Sequence, residues 1–167
     1  MSNALRFSLP LLITLIISGC GFQLKGSQDY GKSTLNGAQI SVVSAEPRSE
    51  LTSAVLQQLA LAGAEVVAPA VGVLNIKLGA EKFTQRNLSL TAQARAAEIE
   101  LTLSTQFSAN QDKQVMVAKT QVQAVRQMLN DPQNIVGKTE EMRLFREEMR
   151  RDLATQILRR LSNSLNK

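Results

Sequence analysis

An α+β domain, with a single four-stranded sheet and two helices packed on one face as a two-layer sandwich, is predicted for residues 38–167. Three patterns carry that prediction. Along residues 97–107 the odd positions are apolar apart from Thr105 and the even ones polar, as in a strand with one face on a core and the other in water. Leu51, Val55, Leu59 and Ala62 recur at helical spacing. Met142, Phe145, Met149, Leu153, Ile157, Leu161 and Leu165 form an apolar stripe over about seven helical turns. Ahead of this domain, residues 1–19 read as a cleaved signal segment and residues 20–37 as a short tether rich in Gly, Ser, Gln and Asn.

The signal segment has a positive start at Arg6 and the free amino terminus, then an apolar core from Phe7 to Ile17 interrupted by Ser8, Pro10 and Thr14. This core is too short to span a bilayer, which needs about 20 apolar residues. Ile17-Ser18-Gly19-Cys20 fits the bacterial lipobox pattern of aliphatic, small, small, cysteine. The Cys20 thiol would receive a diacylglycerol thioether, and cleavage would free its amine for acylation. Two or three chains hold a protein at a membrane where one does so only marginally. Gly21 stands where Gram-negative inner-membrane lipoproteins carry a retaining Asp. The expected location is therefore the outer membrane, lipid-anchored on its periplasmic side.

The remaining elements follow in order. Ala38 to Val43 is a first strand with Ala38, Ile40 and Val42 on one side, and Pro47 ends it. Ser49 caps the first helix, Glu50 complements its dipole and Gly63 stops it. Val66-Val67 adds a short extended piece, and Val73 to Leu78 is a second strand. The third, from Ala97, turns Ile99, Leu101, Leu103, Thr105 and Phe107 inward. A polar turn at 109–113 makes Val115 to Met128 its hairpin partner. Asn130-Asp131-Pro132 breaks that strand, Lys138 lies just before the last helix, Thr139 caps it, and Glu140 and Glu141 fill its first turn.

Composition excludes several function classes. The chain has no histidine, hence no imidazole base or metal ligand, and its single cysteine forms neither an internal disulfide nor a Cys-rich zinc site. Tryptophan is absent and Tyr30 is the lone tyrosine, so stacking platforms for sugars or bases are scarce. No Gly-x-Ser-x-Gly elbow occurs, and neither an enzyme activity nor a cofactor is expected. Lys and Arg outnumber Asp and Glu by 19 to 14, which favours an anionic partner without choosing one. The arginines of the last helix alternate with Glu147, Glu148 and Asp152 and read as a solvated face, not a nucleic-acid surface. Lys138 is the better candidate, because a cation and free backbone N–H groups near a helix start can meet one phosphate together. Arg95, beside Gln93 at the entry of the amphipathic strand, is a second. Lys82 and Arg86 flank Phe83, cations beside an apolar group, although ordinary solubilising charges at a strand end have the same look.

Gly19-Cys20-Gly21-Phe22-Gln23-Leu24-Lys25-Gly26, the capped helix Ser49–Gly63, Ala97-Glu98-Ile99, and Asn130-Asp131-Pro132-Gln133 followed by Lys138, Glu141 and the arginine-rich last helix occur in one order. In these pieces the chain resembles the LptE family of LPS-assembly lipoproteins. The resemblance implies a protein seated in the lumen of the outer-membrane β-barrel LptD, as plug and assembly partner, that binds lipopolysaccharide and helps deliver it to the outer leaflet. It also implies lipopolysaccharide contacts from Lys138, at the family's basic position ahead of the last helix, and from Arg95, close to the other. The polar outward strand face suits a hydrated barrel interior. The alternative is an auxiliary outer-membrane lipoprotein of an ABC-type lipid transport system, which shares the lipobox and a similar layout.

Overall fold

A computed structural model describes residues 34–90, 96–129 and 135–166. The signal segment, Cys20 and most of the tether lie outside them, as does Arg95. Strand β1 (Gln39–Ser44) leads through a turn into helix α1 (Glu50–Leu61). The turn is fixed by hydroxyls: Ser49 Oγ accepts from the Thr52 N–H at 3.2 Å, and Thr52 Oγ1 donates to the Glu46 carbonyl at 2.9 Å. At the other end, the Gly63 N–H reaches Ala60 O and the Ala64 N–H reaches Leu59 O, both at 3.0 Å. This crossed pair is a Schellman cap, and it needs the positive φ of +79° that Gly63 supplies.

Beyond the cap come β2 (Glu65–Val66), β3 (Leu74–Leu78), β4 (Lys82–Leu90), β5 (Ala96–Gln111) and β6 (Gln114–Leu129), then helix α2 (Ile135–Leu165). Strand β1 runs parallel to both β2 and β3, whereas β5 runs antiparallel to β3, β4 and β6. The sheet therefore has six strands, not the four predicted, and its additions are β2 and β4. Strand β6 takes one edge of β5 from Glu98 to Gln111. Strands β3 and β4 consequently share the other edge end to end, β3 opposite Phe107–Gln111 and β4 opposite Ala96–Ser104. At the break between them the Gly79 N–H bonds the Gln106 carbonyl at 2.8 Å, and a Cβ on Gly79 would approach that oxygen to 3.0 Å. Thr105 Oγ1, buried, donates to Gly79 O at 3.0 Å and holds the corner.

The alternation of β5 is as expected. Ile99, Leu101, Leu103, Thr105 and Phe107 are buried, while Glu98 and Gln106 lie exposed on the opposite face. On β6 the inward residues are Val122, Ala124 and Met128. Toward the hairpin turn the register shifts, with Phe107 opposite Thr120 but Ala109 opposite Val117. The extra β6 residue exchanges odd for even positions on the core face.

Both helices contribute to one core. Leu51, Val55 and Leu59 of α1 and Met149, Leu153, Ile157 and Leu161 of α2 join the inward residues of the sheet. Each fully buried Leu or Ile contributes about 1.5–3 kcal/mol over an exposed one. Helix α2 begins at Ile135, earlier than predicted, so Thr139 is an interior residue and not a cap, and the first turn carries no acid. Helix formation through the position of Lys138 is the difference that matters for the site.

Leu101 sits at the centre of this core with no exposure, whereas Val125 points out from β6. Leu101→Ala is expected to lower unfolding stability by about 2–5 kcal/mol. Val125→Ala should stay within about 0.5 kcal/mol. Urea unfolding followed by far-UV circular dichroism compares the two.

Candidate functional site: a basic cleft on the C-terminal helix

Lys138, Met142, Arg146 and Arg150 stand four residues apart on α2 and so share one stripe of the helix. With Arg143, Thr139, Glu140 and the Glu50 carboxylate of α1 they line a cleft of about 580 Å³. Among the described residues, four cations and two carboxylates line it.

Each cation is held differently. Arg150 is largely buried and grips Glu81 through two bonds, Nε to Oε2 at 2.9 Å and Nη2 to Oε1 at 2.6 Å. Its third nitrogen, Nη1, pairs with Glu50. This one guanidinium thus joins the first turn of α1, the corner between β3 and β4, and the middle of α2. Bonding to Glu81 raises its pKa above the ordinary arginine value, against the opposing effect of burial. Arg143 is exposed and bonds Glu140 from Nη2 at 2.7 Å and from Nε at 3.0 Å, with Glu147 at 3.4 Å. The bond from Arg143 holds the Glu140 carboxyl below its ordinary pKa, and the reciprocal bond raises Arg143.

Arg146 differs from both. Its guanidinium carbon lies 3.9 Å from the centroid of the Phe83 ring, a cation–π contact across to β4. Nη2 approaches Met142 Sδ at 3.9 Å, and Nε is buried without a hydrogen-bond partner. Gln85, also on the inward side of β4, donates to the same sulfur at 3.6 Å.

Lys138 therefore lies in this cleft, half-buried in the first turn of α2 instead of ahead of it. Arg95 and Cys20 fall outside the described residues. Lys82 and Arg86 do not surround Phe83. They point to the opposite face of β4, where Arg86 pairs with Glu100 at 3.0 Å and Lys82 borders a separate, hydroxyl- and amide-lined cavity of about 480 Å³. Phe83 turns inward beneath Arg146. Reading the arginines of α2 as a single solvated face missed their division. Glu148 and Asp152 are drawn to Arg126 of β6, and Glu147 to Arg143 and Arg151. The spacing 138, 142, 146, 150 was the available signal.

The family model for LptE, lipopolysaccharide-assembly, matches residues 37–161, from the start of β1 to the last buried turn of α2. The chain belongs to the LptE family. It is 28% identical over 161 residues to the LPS-assembly lipoprotein LptE of Pectobacterium atrosepticum, covering 93% of this chain and 84% of that one. The LptE protein of Yersinia pestis is 26% identical over 157 residues, covering 90% and 72%. Among solved structures, the rare lipoprotein B of Shewanella oneidensis superposes with a TM-score of 0.70 at 28% identity, over 75% of this chain and 95% of that one. Lipoprotein B of Nitrosomonas europaea, at 22% identity, shares the fold with a TM-score of 0.65 over 85% and 90%. The LptE fold is thus the one described above. Among its described residues no helix is long and apolar enough to cross a membrane.

Replacing Arg150 by Ala removes charged hydrogen bonds from a site where Glu81 is mostly enclosed. Stability should fall by about 1.5–3 kcal/mol, read by urea unfolding. The Glu140–Arg143 pair gives a pH signature. Because the folded carboxyl has the lower pKa, its contribution is fully present above the unfolded value and is lost as pH falls through the folded one. The Glu140 side-chain carbon, followed by NMR, should titrate below ordinary glutamate, and Arg143→Gln should return it to the ordinary range.

Proposed function

We propose that this LptE chain is an outer-membrane lipoprotein anchored through acylated Cys20 on the periplasmic side, with residues 1–19 removed and residues 20–37 serving as its tether. It binds lipopolysaccharide and acts as plug and assembly partner of the LptD β-barrel during delivery to the outer leaflet. The observation that carries the reading is the basic cleft of α2 in a chain of the lipopolysaccharide-assembly family: Lys138 stands among four cations, with Met142 on the same stripe and Phe83 beneath Arg146. Lipopolysaccharide presents phosphates joined to acyl chains, and cations beside apolar side chains match that combination. Arg95 supplies a second basic contact from the segment that precedes β5. The role is one of binding and assembly, with no bond made or broken and no cofactor.

The far side of the sheet supports the plug reading. Thr84, Thr102, Ser104, Gln106 and Gln121 present hydroxyls and amides there, and among the described residues Lys82 is the one charged side chain lining their cavity. Such a surface exchanges water contacts for polar contacts inside a hydrated barrel lumen without stranding charge.

Two measurements test this. The tagged full-length chain, extracted from outer membranes in mild detergent, should bring down LptD, and recovery of no barrel protein would overturn the plug role. Lys138→Asp combined with Arg95→Asp should weaken lipopolysaccharide retention by about tenfold or more at unchanged far-UV circular dichroism, since charge-assisted bonds are worth about 1.5–3 kcal/mol. Wild-type retention by the double variant would move the site elsewhere.

A further inference from the structure

Three arginines line the basic cleft, and two have their charge met by carboxylates: Arg143 by Glu140 and Glu147, Arg150 by Glu81 and Glu50. Arg146 takes part in no ion pair among the described residues, although it lies between them in sequence and in the same cleft. Both carboxylates of the cleft, Glu50 and Glu140, are already engaged by the other two arginines. What holds Arg146 is apolar, the Phe83 ring at 3.9 Å and the Met142 sulfur. Its Nε–H is removed from solvent and unpaired. A guanidinium fixed by stacking, with unused donors and no counter-charge, is a preorganised anion receptor. Its planar fork fits two oxygens of a phosphate, and Lys138 on the same stripe adds a point charge.

We infer that Arg146, braced by Phe83, is the phosphate-gripping residue of the cleft, the group recognised being a phosphomonoester dianion. The inference rests on the lipopolysaccharide reading for the source of that phosphate, but not for the existence of the anion site.

The full-length chain in detergent micelles provides the test, with bisphosphorylated lipid A, dephosphorylated lipid A and inorganic phosphate as probes. Arg146→Gln should weaken binding of bisphosphorylated lipid A about tenfold, the loss of one charged bidentate contact. Arg159→Gln, the same charge change at an exposed site outside the cleft, should leave it at wild-type strength. Dephosphorylated lipid A should bind more weakly and equally to all three proteins. Equal binding of bisphosphorylated lipid A by wild type and Arg146→Gln overturns the inference, and so does an Arg146→Gln deficit that persists for dephosphorylated lipid A. If Arg146→Gln fails to fold, as judged by thermal unfolding, Arg146→Lys decides. It keeps the charge without the fork and should bind several-fold more weakly than wild type, whereas wild-type strength overturns the inference. Competition by inorganic phosphate separates the two sources. Displacement of lipid A shows that the dianion alone suffices, and Arg146-dependent binding that phosphate does not displace assigns the site to the lipid headgroup. If wild type binds neither lipid A, the lipopolysaccharide reading falls by itself. Phosphorus NMR of inorganic phosphate then decides the anion site, with Arg146-dependent broadening supporting it and none overturning it.

Discussion

Strand β5, sixteen residues long, is bonded along both edges, to β6 on one side and to β3 and β4 in succession on the other. A strand so placed has no free edge, and its two faces must serve two solvents. The inward face carries Leu101 and Leu103 with no exposure, and the outward face carries Thr102, Ser104 and Gln106. A slip of one residue against β6 would exchange these sets and bury a row of hydroxyls and amides without partners. The register of β5 therefore fixes which side receives the helices, and through them where the cations of α2 lie. The bulges in β6 near the hairpin turn restore the inward direction for Val117 after the count has slipped.

The core alone does not fix the upper half of α2. Its deepest residues run from Met149 to Leu161, and the helix continues N-terminally past that core to Ile135. Arg150 stands at the boundary. By bonding Glu81 and Glu50 it ties the helix to the β3–β4 corner and to α1, where a packed hydrophobe would have reached one neighbour only. Removing an ion pair from water is costly, and here the cost is offset by three charged hydrogen bonds on one guanidinium. A turn further on, Phe83 against Arg146 repeats the tie with an aromatic face in place of a carboxylate. The first tie cancels charge. The second leaves it available.

How much of this was legible in the sequence varied with how local its cause was. Helix α1 was readable from Ser49 and Gly63, because a side-chain cap and a positive-φ stop act within four residues. Strand β5 was readable because its two faces meet different solvents at every second residue. Strand β4 was not, since the inward positions after Phe83 are Gln85 and Asn87, which sit opposite Leu101 and Ile99 near the sheet's end. Its pairing with β5 holds it in place where its own side chains give no apolar period. The start of α2 was misplaced because Thr139 and the glutamates after it imitate a capped first turn, while the helix forms earlier, from Ile135. Lys138 was singled out as a cation ahead of the last helix, and the structure places it inside that helix, beside companions the sequence hid. Whether an arginine is neutralised depends on which acid lies across the fold, and the partners of Arg150 and Arg126 are 69 and 26 residues away.

The two sides of the sheet thus present opposite solutions to the cost of polar burial. The outer side gathers hydroxyls and amides, groups that can trade water for another polar partner at little net cost, around the cavity beside Lys82, and pairs Arg86 with Glu100 nearby. The helix side concentrates charge and pairs Arg143, Arg150 and Arg151 with acids of the protein, while Arg146 in the same cleft has no acid partner among the described residues. Under the proposed function this division separates two tasks that would otherwise conflict. A plug must contact a large barrel wall stably and without strong charge selectivity, whereas a lipid phosphate must be held firmly and then released. Placing the unpaired cation on a rigid aromatic support, away from the barrel-facing surface, lets phosphate binding strengthen or weaken without altering the fit of the plug. Because Arg146 is held by Phe83 rather than by an acid, a phosphate binding there as proposed would displace no ion pair of the protein.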